Sequence, residues 1–116
     1  MLNFYWYPKC STCRNAKKYL ESKGIEFHSI DIVQNPPPVE VLMKVLSAGE
    51  YSLKQLFNTS GEVYRQLNLK EKMPQLSEKD LLKLLSENGK LVKRPLITDG
   101  ERHVVGFDKK NFDKKF

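Results

Sequence analysis

The sequence predicts an α/β domain built on a mixed four-stranded sheet, with flanking helices and an inserted helical stretch. Three observations carry this prediction. An aromatic, strand-like run opens the chain, the hydrophobic pattern then shifts from alternating to helical and back, and the chain closes on strand, Asp-Gly turn, strand and helix. At 116 residues the chain is the length of a single domain, 1–116, and can bury a core without metal or disulfide staples.

Residues 2–7, Leu-Asn-Phe-Tyr-Trp-Tyr, read as the first strand, with Met1 leading into it. The apolar start is too short, and lacks the basic flank, for an export signal. Pro8 ends the strand. Ser11 or Thr12 then caps a helix running to about Ser22, with Ala16, Tyr19 and Leu20 on its buried face and Gly24 as its stop. Residues 25–33 read as a second strand, which completes a β-α-β unit with an expected right-handed crossover. Asn35-Pro36-Pro37-Pro38 is a turn feeding a helix whose Val39, Leu42, Met43 and Leu46 are expected to face inward, up to Gly49. Residues 52–69 read as two short helical pieces broken at Thr59-Ser60-Gly61. The first buries Leu53, Leu56 and Phe57; the second buries Val63, Tyr64 and Leu67. Ser77-Glu78-Lys79-Asp80 opens a helix carrying Leu81, Leu82, Leu84 and Leu85, and Asn88-Gly89 stops it. Residues 96–98 and 102–106 form a hairpin about Asp99-Gly100, and Asp108 caps a last helix, 109–116. This order is the arrangement of a thioredoxin-like (glutaredoxin-like) domain with a helical insertion at about 39–88.

The formal net charge is +6, with Lys109, Lys110, Lys114 and Lys115 crowded near the end. They read as a solvated helix face. No aromatic-studded basic stripe accompanies them, so direct nucleic-acid binding is not expected. No apolar run reaches the roughly 18 residues of a membrane span. Two cysteines do not make a secreted disulfide framework, and a lone C-x-x-C in an α/β pattern fits a reducing, cytoplasmic compartment. His28 and His103 lack the spacing that would complete a metal site with the cysteines, and each reads as a surface or partly buried strand residue. No metal and no cofactor is expected, and the chain is expected to be a monomer.

The chemistry centres on Cys10-Ser11-Thr12-Cys13, between the first strand and the first helix. A helix N-terminus presents unpaired N–H groups and a partial positive charge, both of which favour an anion. A thiolate at Cys10 would sit there, with Lys9 and Arg14 adding positive charge and with Ser11, Thr12 and their amides beside it. A free thiol titrates near ~8.5, and such surroundings lower it to roughly 3.5–7.5. Cys10 is therefore expected to be the exposed nucleophile. Cys13, inside the first turn, is the shielded thiol that resolves a mixed disulfide. The competing reading, two ordinary core thiols, does not account for the strand–Pro-Lys-Cys–helix context.

The chain resembles the arsenate reductase (ArsC) and Spx family over nearly its full length. The resemblance rests on Tyr7-Pro8-Lys9-Cys10-Ser11-Thr12-Cys13-Arg14, on Tyr64-Arg65-Gln66-Leu67-Asn68-Leu69 and on Lys93-Arg94-Pro95-Leu96-Ile97 followed by a hairpin. It implies a nucleophilic Cys10, an anion-binding Arg94 and a Pro95, usually cis in such folds, opposite the cysteines. Of the three arginines with which glutaredoxin-dependent arsenate reductases hold the oxyanion, only Arg94 is matched; Asn58 and Phe107 stand at the other two positions. The resemblance implies a thiol-dependent oxidoreductase acting on a small oxyanion or a disulfide. Its reductant would be thioredoxin, glutaredoxin or a low-molecular-weight thiol. The alternative it implies is a redox-sensing regulator, like Spx, that binds the RNA polymerase alpha subunit, although the basic stretch Spx carries near Asn58 and its longer basic end are not matched here.

Overall fold

The first strand, β1 (Leu2–Trp6), is followed by α1 (Ser11–Ser22), β2 (Phe27–Asp31), α2 (Val39–Ser47), α3 (Glu62–Gln66), α4 (Leu69–Lys72), α5 (Glu78–Glu87), β3 (Leu96–Thr98), β4 (His103–Val105) and α6 (Lys109–Lys115). The structure, a computed structural model, describes residues 2–116, so Met1 lies outside the described residues. The strands form a single sheet in the order β2-β1-β3-β4. β1 runs parallel to β2, and the β1–β3 and β3–β4 pairs are antiparallel. The mixed four-stranded sheet with flanking helices expected from the sequence is the fold observed, with α2 to α5 lying between β2 and β3 in the chain.

Alternation along the central strands feeds two cores. Leu2 and Phe4 on β1, with Ile97 and Val104, pack against Ala16 and Leu20 of α1 and Phe112 of α6. Tyr5 and Leu96 face the other way, into Leu42, Val45, Leu85 and Leu91. Successive side chains on a strand point to opposite faces, so β1 and β3 are covered on both sides. α1 buries Cys13, Ala16 and Leu20 at helical spacing. It ends in a Schellman motif: Gly24 has φ +68°, its N–H donates to the Glu21 carbonyl, and the Ile25 N–H donates to the Leu20 carbonyl, both at 3.1 Å.

The structure departs from the sequence reading at five places. The N-cap of α1 is Cys10 and not Ser11 or Thr12, which are its first two helical residues, because the Cys10 carbonyl already accepts the first helical hydrogen bond, from the Arg14 N–H at 3.1 Å. On α2 the buried pair is Leu42 and Val45, while Met43 is 54% exposed. Five of its nine residues, Val39, Val41, Leu42, Val45 and Leu46, are apolar besides Met43, so periodicity alone leaves the inward face open, and packing against α5 selects it. The piece expected from Ser52 is a single 3-10 turn, Lys54–Leu56. Phe57 instead enters an isolated antiparallel bridge with Val92; the Asn58 N–H donates to Leu91 at 2.7 Å and the Lys93 N–H to Leu56 at 2.8 Å. Leu67 is 37% exposed because α3 stops at Gln66 and Asn68 takes a left-handed φ of 53°, which turns the chain so that Leu69 becomes the buried anchor. His103, expected at or near the surface, is buried beneath the β3–β4 turn with its Nδ1 2.7 Å from Thr98 Oγ1; His28 is exposed. A four-residue loop makes positions 98 and 103 direct cross-strand partners, and the sheet face they share is covered.

Gly89 fixes how the insertion meets the sheet. A Cβ there would stand 1.7 Å from the Ile32 carbonyl oxygen. Backbone cannot yield as a flexible side chain can, so Gly89→Ala is expected to cost roughly 1–3 kcal/mol or more through overpacking. Urea denaturation reads this as a lower midpoint at unchanged slope, and an unchanged midpoint would show the close approach to be dispensable.

Candidate active site

β1 and β3 pair with Asn3 opposite Thr98, Phe4 opposite Ile97 and Tyr5 opposite Leu96. Tyr7 follows β1 and Arg94 precedes β3, each two residues beyond that last pair. The Arg94 guanidinium lies over the Tyr7 ring, 5.2 Å from its centroid, a cation–π contact that orients the side chain. The loop after Tyr7 closes at once: the Cys10 N–H donates to the Tyr7 carbonyl at 2.9 Å. One short pairing therefore brings the start of α1 and the segment before β3 to the same end of the sheet.

Cys10 is the N-cap of α1, with extended φ −91° and ψ 116°. At this position a side-chain acceptor normally takes the N–H groups of the second and third helical residues. Here those are Thr12 and Cys13, and the acceptor is sulfur, whose longer reach falls short of a conventional cap bond. Cys10 is half-buried and Cys13 fully buried, and both are free thiols. Burial pushes the Cys10 thiol up, but the Cys13 N–H and thiol, the Arg94 guanidinium and the Thr12 N–H together bring it below the ordinary thiol value. Burial pushes the Cys13 thiol up to about 12; the hydrogen bond to Cys10 and the Cys10 charge add to this, against the Tyr7 backbone and Arg94, which pull it down. Cys10 thus ionises first, and Cys13 keeps the proton that it shares with Cys10.

Cys10 opens into a cleft of about 460 Å³ whose walls include Thr12, Asn58, Lys93, Arg94 and Phe107. Of the residues singled out from sequence, Cys10, Thr12 and Arg94 line it, as do Asn58 and Phe107, which the resemblance set at the other two oxyanion-holding positions. Lys9, Ser11 and Arg14 are exposed and lie outside its walls, and Arg14 Nη1 folds back to donate to the Pro8 carbonyl at 2.9 Å. Pro95 is buried behind a cis peptide bond, and its carbonyl accepts the Gly106 N–H at 2.8 Å, so it shapes the cleft without lining it.

Lys93 was not singled out, yet it lines the cleft. Its stem passes over Gly106, with Cε 3.4 Å from where a Cβ would stand. Alternation along an extended segment would send Lys93 and Arg94 to opposite sides, and only the irregular backbone before β3 lets both reach one hollow. Asn58 arrives through the Phe57–Val92 bridge, a long-range pairing with no local sequence signal. Phe107 is held edge-on to Phe112 at 4.7 Å and tilted to Tyr19 at 6.2 Å, so the wall it forms is rigid and apolar. His28 and His103 lie away from the cysteines, one on edge strand β2 and the other beneath the β3–β4 turn.

Comparisons with known proteins give the family. The profile of the ArsC family matches residues 5–115. YusI of Bacillus subtilis is 50% identical over 115 residues, covering 99% of this chain and 98% of that one. The global transcriptional regulator Spx of Enterococcus faecalis is 33% identical over 108 residues, covering 93% of this chain and 80% of its own. The crystal structure of an ArsC family related protein from Bacteroides fragilis superposes with a TM-score of 0.92 at 41% identity, covering 99% of this chain and 97% of the other. With its thioredoxin-like sheet, its paired cysteines and a profile match over nearly all of its length, the chain belongs to the ArsC family.

Proposed function

We propose that the protein is a thiol–disulfide oxidoreductase in which Cys10 is the nucleophile and Cys13 the resolving thiol. The observation that carries this reading is the opposed environment of the two sulfurs: one half-buried at a helix start, where the thiol gives up its proton more readily than an ordinary one, the other buried beside it, where the proton is held more tightly. The Cys10 thiolate attacks one sulfur of a substrate disulfide. That S–S bond breaks, the departing thiolate takes the electron pair and then a proton from solvent, and a mixed disulfide forms on Cys10. Cys10 is then neutral, so the charge and hydrogen bond that held the Cys13 proton are gone, and Cys13 ionises more readily. Its thiolate attacks Cys10 Sγ and expels the second substrate thiolate. The substrate has gained two electrons and the pair has lost two as the Cys10–Cys13 disulfide. Thioredoxin, glutaredoxin or a low-molecular-weight thiol restores the dithiol.

Arsenate is the substrate that family membership suggests. A thiolate attacks it with loss of hydroxide, and the arsenic–sulfur electron pair returns to arsenic when Cys13 attacks Cys10. Several guanidinium groups would grip such an oxyanion through charge-assisted, bidentate bonds. Here Asn58 and Phe107 stand in the cleft wall beside Arg94. Arsenate-dependent oxidation of reduced thioredoxin is expected to be slow in the wild type. Asn58→Arg/Phe107→Arg is expected to lower the arsenate KM by about 10-fold or more, since each charge-assisted bond contributes roughly 1.5–3 kcal/mol. A melting curve accompanies the assay because Phe107 also packs on Phe112. A folded double variant with unchanged KM would exclude the oxyanion role of these walls.

The nucleophile assignment is tested by alkylation with iodoacetamide across pH. The Cys10 rate should rise with pH and level off at lower pH than for free cysteine, because its ionised form is favoured. Arg94→Gln removes one of the groups that lower it and should move the curve to higher pH. Cys10→Ser should leave a protein that barely reacts near neutral pH, since burial, the largest cause of the raised Cys13 value, is unchanged and also shields the sulfur from the reagent. A Cys10 curve at or above that of free cysteine would exclude the assignment.

A second reading, a redox-sensing regulator that binds the RNA polymerase alpha subunit, is favoured by the 33% identity with Spx over 93% of this chain. Oxidation would then alter the surface around α1. Capture of the alpha C-terminal domain that differs between reduced and oxidised protein supports it; no capture in either state removes it.

A further inference from the structure

The Cys10 cleft does not end at its own walls. Two more hollows adjoin it, of about 370 and 460 Å³. Lys93 and Val105 border both the cleft and the first hollow, Val105 and Asp108 both the cleft and the second, and Tyr51 and Val105 both hollows. Val105 belongs to β4, the strand at one edge of the sheet. It is thus the common floor of one groove that runs from Cys10 along the sheet edge to Tyr51 and α6. A single hollow of this size already holds a small organic ligand, and three in series suit something longer.

The charge on this groove is predominantly positive. Lys93 and Arg94 stand in the cleft, Lys54 in the first hollow, and Lys110 and Lys114 in the second. Among the described residues, none of these five has a carboxylate within 4.0 Å. The two acids that border the groove are already engaged: Glu50 is ion-paired with Lys115, and Asp108 caps α6 by accepting the Lys110 N–H at 3.1 Å. Tyr51, its hydroxyl held by Asn111 Nδ2 at 3.2 Å, gives with Val105 a half-buried apolar footing in the middle. Groups of one sign along a concave wall attract an oppositely charged partner and raise its rate of encounter.

We propose that this groove receives an extended, acidic stretch of polypeptide that presents its own cysteine, as a disulfide, to Cys10. This rests on the oxidoreductase reading and names the substrate class for it. A polypeptide is favoured over a nucleic acid because it brings a sulfur to the nucleophile along with its negative charges, and over a small anionic disulfide because the groove runs on well past the Cys10 cleft. The exchange is that of the small-molecule reaction: the partner's S–S bond breaks, its cysteine sulfur bonds to Cys10, and the other half leaves as thiolate with the electron pair.

The test uses the reduced full chain and two synthetic peptides. Each carries one central cysteine as a mixed disulfide with 5-thio-2-nitrobenzoate, one flanked by Asp and Glu and the other by Ser and Gly. Uncharged hydroxyethyl disulfide is the third substrate. The acidic peptide should react about 10-fold or more faster than the neutral one at low salt, and the advantage should collapse at high salt. Lys54→Gln/Lys110→Gln/Lys114→Gln, whose cations lie outside the Cys10 cleft, should remove most of that advantage while leaving the hydroxyethyl disulfide rate unchanged. The corresponding Lys→Arg variant should keep it. Equal rates for the two peptides, or an advantage that survives the Gln substitutions, overturns the proposal while the oxidoreductase reading stands. A single-stranded DNA oligomer that competes better than a thiol-free acidic peptide overturns the polypeptide assignment. No reaction with any of the three disulfides overturns the oxidoreductase reading, and this proposal with it.

Discussion

Three cross-strand pairs between β1 and β3 set almost everything that matters at the site. The pairing that puts Tyr5 opposite Leu96 leaves Tyr7 and Arg94 two residues beyond it, in cation–π contact, which keeps the loop carrying Cys10 close to the segment before β3. A slip of one residue would turn Phe4 and Ile97 out of one core and Tyr5 and Leu96 out of the other. Because both faces of these strands are buried, that slip would be paid for twice over, and the guanidinium stays next to the sulfur as a by-product of packing.

The same architecture separates two chemically identical thiols. Cys10 lies just outside the helix, where backbone N–H groups have no intrahelical partner and the peptide dipoles favour an anion. Cys13 lies one turn further on, on the face of α1 that is packed against the sheet, where a charge would lose its hydration. Three residues of helix are enough to carry a side chain from the first environment to the second. The contrast between the sulfurs is therefore a property of where the helix begins and which face it buries, with Arg94 adding to it from across the sheet.

The cleft combines this sulfur chemistry with walls of mixed character. Lys93 and Arg94 supply positive charge, Asn58 neutral hydrogen-bonding groups and Phe107 a fixed apolar face. Phe107 is as much a part of the α1–α6 core as of the cleft, since its ring meets Phe112 and Tyr19. The groove that continues over Val105 joins the thioredoxin-like half of the molecule, through β4 and α6, to the inserted helical part, through Tyr51 and Lys54. The insertion thereby contributes to the surface that a partner would meet, besides covering one face of the sheet.

The sequence by itself determined the order of elements, the strand-to-helix position of the cysteines and the stop signals and caps except that of α1, which is Cys10 and not Ser11 or Thr12. Each of these is encoded locally: Gly24 ends α1, Asp99-Gly100 turns the hairpin, and Asp108 caps α6 through neighbours a few residues away. The strands at 2–7 and 96–98 were legible for the same reason, from aromatic or β-branched content and the adjoining turn signals within one segment. Tertiary structure decided what local patterns leave degenerate. It chose Val45 over Met43 on an almost wholly apolar helix, made Phe57 a bridge partner of Val92 instead of a helical residue, and buried His103 beneath a hairpin. It also placed Asn58 and Lys93 beside Cys10 and turned Arg14 away. These outcomes depend on contacts between segments far apart in the chain, whose free energy no single stretch contains.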